Sequence, residues 1–113
     1  MKVVIVEPLR EPYEKEIDPS LESMQGIVGG TIQAIYPFPD QEIALICNDD
    51  GKLFQLIPNR ALYDEEGYLF DIICGTFFLC AAPFGAENFE GLNEQQIKKL
   101  KRRFKRLEIH LPY

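Results

Sequence analysis

YLFDIICGTFFLCAA, residues 68–82, decides the fold. It holds short apolar runs rich in β-branched and aromatic residues on either side of Gly75. Tyr68–Ile73 and Phe77–Ala82 read as strands, with Gly75 at a bulge or bend between them. The apolar run Ile72–Ala82 is broken by Gly75 and Thr76 and is too short to cross a bilayer. Upstream, Asp64-Glu65-Glu66-Gly67 is a turn, and Asn59–Asp64 is expected to form a short helical turn. EIALICNDDGKLFQLIP reads as a hairpin, Ile43–Cys47 and Leu53–Ile57 flanking the turn Asn48-Asp49-Asp50-Gly51.

TIQAIYPF (31–38) is a further strand, stopped by Pro37 and Pro39. Before it, Asp18 is placed as a helix N-cap with Pro19 at the first helical position. Leu21, Met24 and Val28 share a face, and Gly29-Gly30 ends the helix. The opening segment reads as a hairpin of Val3–Val6 and Tyr13–Ile17. At the other end PFGAENFEG is loop. Asn93 with Gln96 forms a capping box, and Ile97, Leu100, Phe104 and Leu107 make the apolar stripe of a final helix. The sum over residues 1–113 is a single small α+β domain. It has a mostly antiparallel sheet, one helix inserted between strands and a basic amphipathic helix at the C-terminal end.

The length of 113 residues suits one core without staples. The N-terminal MKVVIVEP lacks the apolar core and cleavage site of a signal peptide, which predicts an intracellular protein. Cys47, Cys74 and Cys80 are odd in number, form no CxxC pair, and read as buried free thiols. With His110 the only histidine, no metal site and no cofactor are expected.

Charge is divided unevenly. Residues 1–92 carry 16 acids and 5 basic residues, whereas residues 93–113 carry 2 acids and 7 basic residues. All seven of those cations lie in KKLKRRFKRL (98–107). Lys98, Lys99, Arg102, Arg103 and Arg106 form a basic face opposite the apolar stripe. Such a face suits the negative end of a helix dipole. It is also a usable phosphate footprint, giving weak, salt-sensitive nucleic-acid contact. The acids of the remainder keep the protein soluble, or imitate a phosphate backbone to a nucleic-acid-binding protein.

Asn59, Arg60, Asp64 and Asp71 are the candidate ligand- or partner-binding residues. Arg60 pairs with Asp64 at i,i+4 if Asn59–Asp64 is helical, bracing the turn. Alternatively Asn59 and Arg60 line a cleft, the planar fork of the arginine suiting phosphate or carboxylate. No catalytic residue is assigned: there is no nucleophile–base pair, no phosphate loop, and His110 is a poor acid–base candidate.

VEP near the start, SLESMQGIVGG, CNDDGKL, PNRAL and DEEGYLFDIICGTFFL together resemble the domain-of-unknown-function family 3846, over roughly residues 2–104. NRAL and DIICGTFF are the most specific of these. The resemblance brings no activity or catalytic set. It implies a small accessory protein of a phage, plasmid or conjugative element, acting in the bacterial cytosol. The expectation is therefore a non-enzymatic binding protein that modulates a host process, most plausibly defence. It would occupy a host protein such as a nuclease through an acidic surface, or hold a small anionic ligand. The alternatives are a nucleic-acid-binding accessory protein using helix 93–107, or a small enzyme of unknown reaction. Self-association is left open, and no membrane contact is expected.

Overall fold

A computed structural model describes residues 1–108. Among them the chain forms β1 (Lys2–Val6), β2 (Tyr13–Glu16), α1 (Leu21–Val28), β3 (Ile32–Ile35), β4 (Ile43–Asn48), β5 (Pro58–Tyr63), β6 (Leu69–Cys74), β7 (Phe77–Ala81) and α2 (Glu94–Arg103). It is an α+β fold. Five strands make an antiparallel sheet in the order β2-β1-β7-β4-β3, and β5 and β6 pair separately as a hairpin.

Both faces of the large sheet are covered, which explains its sequence. β4 and β7 are buried at every residue and β1 at every residue after Lys2, so these strands read as continuous apolar runs. Successive rungs point to opposite faces. The rung Val4–Leu79–Leu45–Ile35 joins the core beneath α2 and the β5–β6 hairpin. The next rung, Ile5–Phe78–Ile46, joins the core beneath α1. Phe104, just past α2, packs edge-on to Phe77 with ring centroids 5.5 Å apart. The edge strand β2 is exposed throughout and carries Glu14, Lys15 and Glu16, charges that discourage pairing with another chain.

Several local expectations are corrected. The helix α1 starts two residues later than Asp18-Pro19 suggests. Ser20 is its N-cap, the hydroxyl accepting from the Ser23 N–H at 3.1 Å. The chain stays extended through Ile17, whose buried side chain belongs to the core under α1. Leu21, at the first helical position, is exposed, and Met24 and Val28 carry the packing. Leu53–Ile57 is not a strand. Central β4 already has β3 on one edge and β7 on the other, so no edge is left for a hairpin partner. The segment coils instead, Phe54 N–H donating to Asp50 O and Leu56 N–H to Gly51 O, with Leu53, Phe54 and Ile57 exposed. Asn59–Asp64 is not a helical turn: most of it is β5, and Asp64 begins the turn that follows. At the C-terminal end α2 stops at Arg103, so Arg106 and the exposed Leu107 lie beyond the helix.

Other readings hold. Gly29 closes α1, the Asn93–Gln96 capping box opens α2, and Gly75 bends the chain between β6 and β7 at φ +82°.

Candidate functional site

Asn59 and Arg60 sit on β5 at 0% and 1% exposure. The Asn59 amide donates to Val6 O at 2.9 Å and to Gly75 O at 3.0 Å. Its oxygen accepts from Arg60 Nη1 at 2.8 Å. Arg60 Nη1 also reaches Asn59 O, Nε donates to Phe104 O at 3.1 Å, and Nη2 donates to Arg10 O at 2.8 Å. The two side chains therefore tie β5 to the end of β1, to the Gly75 bend, to the C-terminal end of α2 and to the β1–β2 loop. Burial lowers the guanidinium pKa from its ordinary value, and the nearby Glu108 carboxylate opposes that shift. A charge so enclosed, bonded to three backbone oxygens and to Asn59 Oδ1, has little to offer an anion. The expected Arg60–Asp64 pairing is absent, because a strand sends the two residues apart while the helical spacing would have stacked them.

Asp64 instead stays at the turn between β5 and β6, its carboxylate accepting from the N–H groups of Glu66 and Tyr68. Asp71 pairs with Lys52 from the coiled segment after β4. The four candidate residues thus divide into a buried brace, a turn and a surface ion pair, and form no common cleft. The basic residues Lys98, Lys99, Arg102, Arg103 and Arg106 are exposed as expected, although Arg106 lies past the helix. None of the cations of 98–106 makes an ion pair among the described residues. Arg103 is engaged with aromatic rings, its guanidinium 5.9 Å from the Phe38 ring centroid and 5.4 Å from that of Phe104.

The surface that sequence reasoning missed is aromatic. Tyr36, Tyr63, Tyr68, Phe70 and Phe84 are between 44% and 72% exposed. Three loops carry most of them: the β3–β4 connection 36–42, the tip of the β5–β6 hairpin and the segment 82–89 after β7. A groove of about 720 Å3 runs between the first two, lined by Tyr36, Tyr63 and Phe70, by the acids Asp64, Glu65 and Glu66, and by Arg103. A second groove, of about 970 Å3, lies on the other side of the Tyr36–Pro39 ridge. These exposed aromatics stand beside Asp64, Glu65 and Glu66, which make no ion pair among the described residues. The signal was present in the PFPD and PFGAENF segments, but only the fold brings them to the same end of the sheet.

Residues suited to chemistry are sparse. No group of three His, Cys, Asp or Glu side chains among the described residues is placed to hold a metal ion. Burial pushes the Cys47 thiol up to about 11 and the Cys80 thiol up to about 12, away from the reactive thiolate. Cys74, partly exposed, is also raised, chiefly by burial. His110 lies outside the described residues. No helix among them is long and apolar enough to cross a membrane.

The model of the family described as Domain of unknown function (DUF3846) matches residues 1–105. The chain belongs to that family. No curated protein and no solved structure matches it. The segments that carry the DUF3846 resemblance are also the ones that hold the fold. NRAL is the start of β5 with its buried Asn59–Arg60 brace, and DIICGTFF is the β6–Gly75–β7 bend that the brace grips.

Proposed function

We propose that this protein acts by contact, engaging the basic surface of a protein partner through the aromatic and acidic face at the hairpin tip and the 36–42 loop. The observation that carries the reading is the groove in which Tyr36, Tyr63 and Phe70 stand beside Asp64, Glu65 and Glu66. Aromatic side chains supply contact area at little entropic cost, and exposed carboxylates supply steering toward a cationic partner. A basic nuclease groove of the host is the partner class that fits this chemistry. Counteracting host defence for a phage or other mobile element, in the bacterial cytosol, is the setting that the family resemblance supplies. A small anionic ligand held by Arg60 is not part of this proposal, given the burial of that side chain.

The test is co-purification of the tagged protein with a basic host nuclease, followed by inhibition of that nuclease. Retention at low salt is expected, with loss in high salt as the charges are screened. The variant carrying Asp64→Lys, Glu65→Lys and Glu66→Lys should retain neither binding nor inhibition. Unaltered inhibition by that variant refutes the assignment of this face.

A second reading rests on the cations of 98–106, which make no ion pair among the described residues. On that reading the helix tracks a phosphate backbone, and the complex weakens steeply with salt. A gel-shift at low salt that vanishes in Lys98→Glu/Arg102→Glu supports it. Absence of any shift at low salt removes it.

A further inference from the structure

The second groove, of about 970 Å3, opens between the 36–42 loop and the segment 82–89. Its lining includes Tyr36, Phe84 and Phe89, with the carboxylates of Asp40 and Glu87. Tyr36 and Phe84 are among the more exposed aromatics of the chain, at 61% and 72%. No lysine or arginine lines the groove, and neither Asp40 nor Glu87 makes an ion pair among the described residues. The walls are pre-formed. Gln41 N–H closes a turn onto Phe38 O, and Ala86 N–H closes one onto Pro83 O, each at 3.1 Å. The Glu42 carboxylate pins the second loop to the first by accepting from the Phe84 N–H at 2.8 Å. Asp40 occupies the left-handed region at φ +65°, where a glycine would rest without strain.

Aromatic faces attract cations, and carboxylates at the rim accept hydrogen bonds from them. A guanidinium satisfies both demands: it is planar, stacks on rings, is weakly hydrated and presents a fork of donors. A lysine ammonium is more strongly hydrated and stacks less well. In the same loop the Phe38 ring already lies against a guanidinium, that of Arg103, at 5.9 Å from the ring centroid. We propose that this groove receives an arginine side chain from a partner protein, with the guanidinium against Tyr36 and Phe84 and hydrogen-bonded to Asp40 or Glu87. The inference deepens the contact reading above and rests on it: it names the side chain by which a basic partner is recognised.

Calorimetric titration of the full chain with a hexa-arginine peptide and with a hexa-lysine peptide, at low salt, tests it. The arginine peptide should bind about fivefold more tightly. Phe84→Ala, at a position exposed enough to leave folding intact, should weaken the arginine peptide about three- to tenfold and abolish the preference. Neutralising the hairpin tip with Asp64→Asn, Glu65→Gln and Glu66→Gln should weaken both peptides alike and preserve their ratio. Equal affinity for the two peptides, or an unchanged preference in Phe84→Ala, overturns the arginine groove while leaving acidic contact standing. If neither peptide binds, both readings fall.

Discussion

Replacing Arg60 with alanine separates a brace from a grip. Four oxygens outside the residue lose a donor: Phe104 O, Arg10 O, Asn59 O and Asn59 Oδ1. Each charge-assisted bond is worth about 1.5–3 kcal/mol, and an orphaned buried acceptor costs about 1–3 kcal/mol. A cavity left by most of an arginine side chain adds about 2 kcal/mol. Against these stands the desolvation cost of burying the guanidinium, several kcal/mol, which the substitution relieves. Arg10 is exposed, so its carbonyl regains water more readily than that of buried Phe104. The net expectation is a loss of about 3–5 kcal/mol, a large share of the roughly 5–15 kcal/mol that holds a domain of this kind together. Arg60→Lys keeps the charge but reaches fewer of the acceptors, and should cost about 2–3 kcal/mol. Urea unfolding followed by circular dichroism reads both. A cycle with Asn59→Ala should give a coupling of about 1–2 kcal/mol, because the two side chains share the Nη1–Oδ1 bond. A loss under about 1 kcal/mol for Arg60→Ala, with an unchanged denaturant slope, would falsify the brace.

Gly75→Ala should destabilise by about 2 kcal/mol, since φ is +82° and the new Cβ would stand 2.8 Å from Leu56 Cδ1; Leu56→Ala in the same chain should recover part of that loss, and the urea midpoint reads both. Stability should fall as the pH rises through about 9 and beyond. The Cys47 and Cys80 thiols are raised in the folded state, from an ordinary 9.0 to about 11 and about 12, so unfolding releases their protons across that window. The loss should reach about 3 kcal/mol between about pH 8 and about pH 10, and Cys47→Ala/Cys80→Ala should flatten the profile; a native chain equally stable at both pH values contradicts the burial argument. Asn93→Ala removes the cap that accepts from the Gln96 N–H and should cost about 1 kcal/mol, visible as a lower melting temperature.

Much of the architecture was legible because it depends on local chemistry. The glycine stop of α1, the capping box of α2 and the bend at Gly75 each follow from what one or two residues permit. The strands β1, β4 and β7 announce themselves as apolar runs because both sheet faces are covered. The misplaced elements share a cause. Leu53–Ile57 has strand-like composition, yet both edges of β4 are taken by β3 and β7. Asn59 and Arg60 are polar, and a polar pair beside an acidic turn looks like surface. Nothing in the local sequence says that four backbone oxygens from distant segments, Val6, Gly75, Phe104 and Arg10, will converge on them.

The sequence by itself determined the α+β class, the antiparallel bias, the helix caps and the segregation of basic charge into 98–106, because each depends on residue type and near-neighbour spacing. Tertiary structure alone decided that Arg60 is a buried clamp, and that the PFPD and PFGAENF segments meet at one end of the sheet. Both depend on strand order, which is set by the global competition for sheet edges and core faces, and no window of neighbouring residues contains that competition.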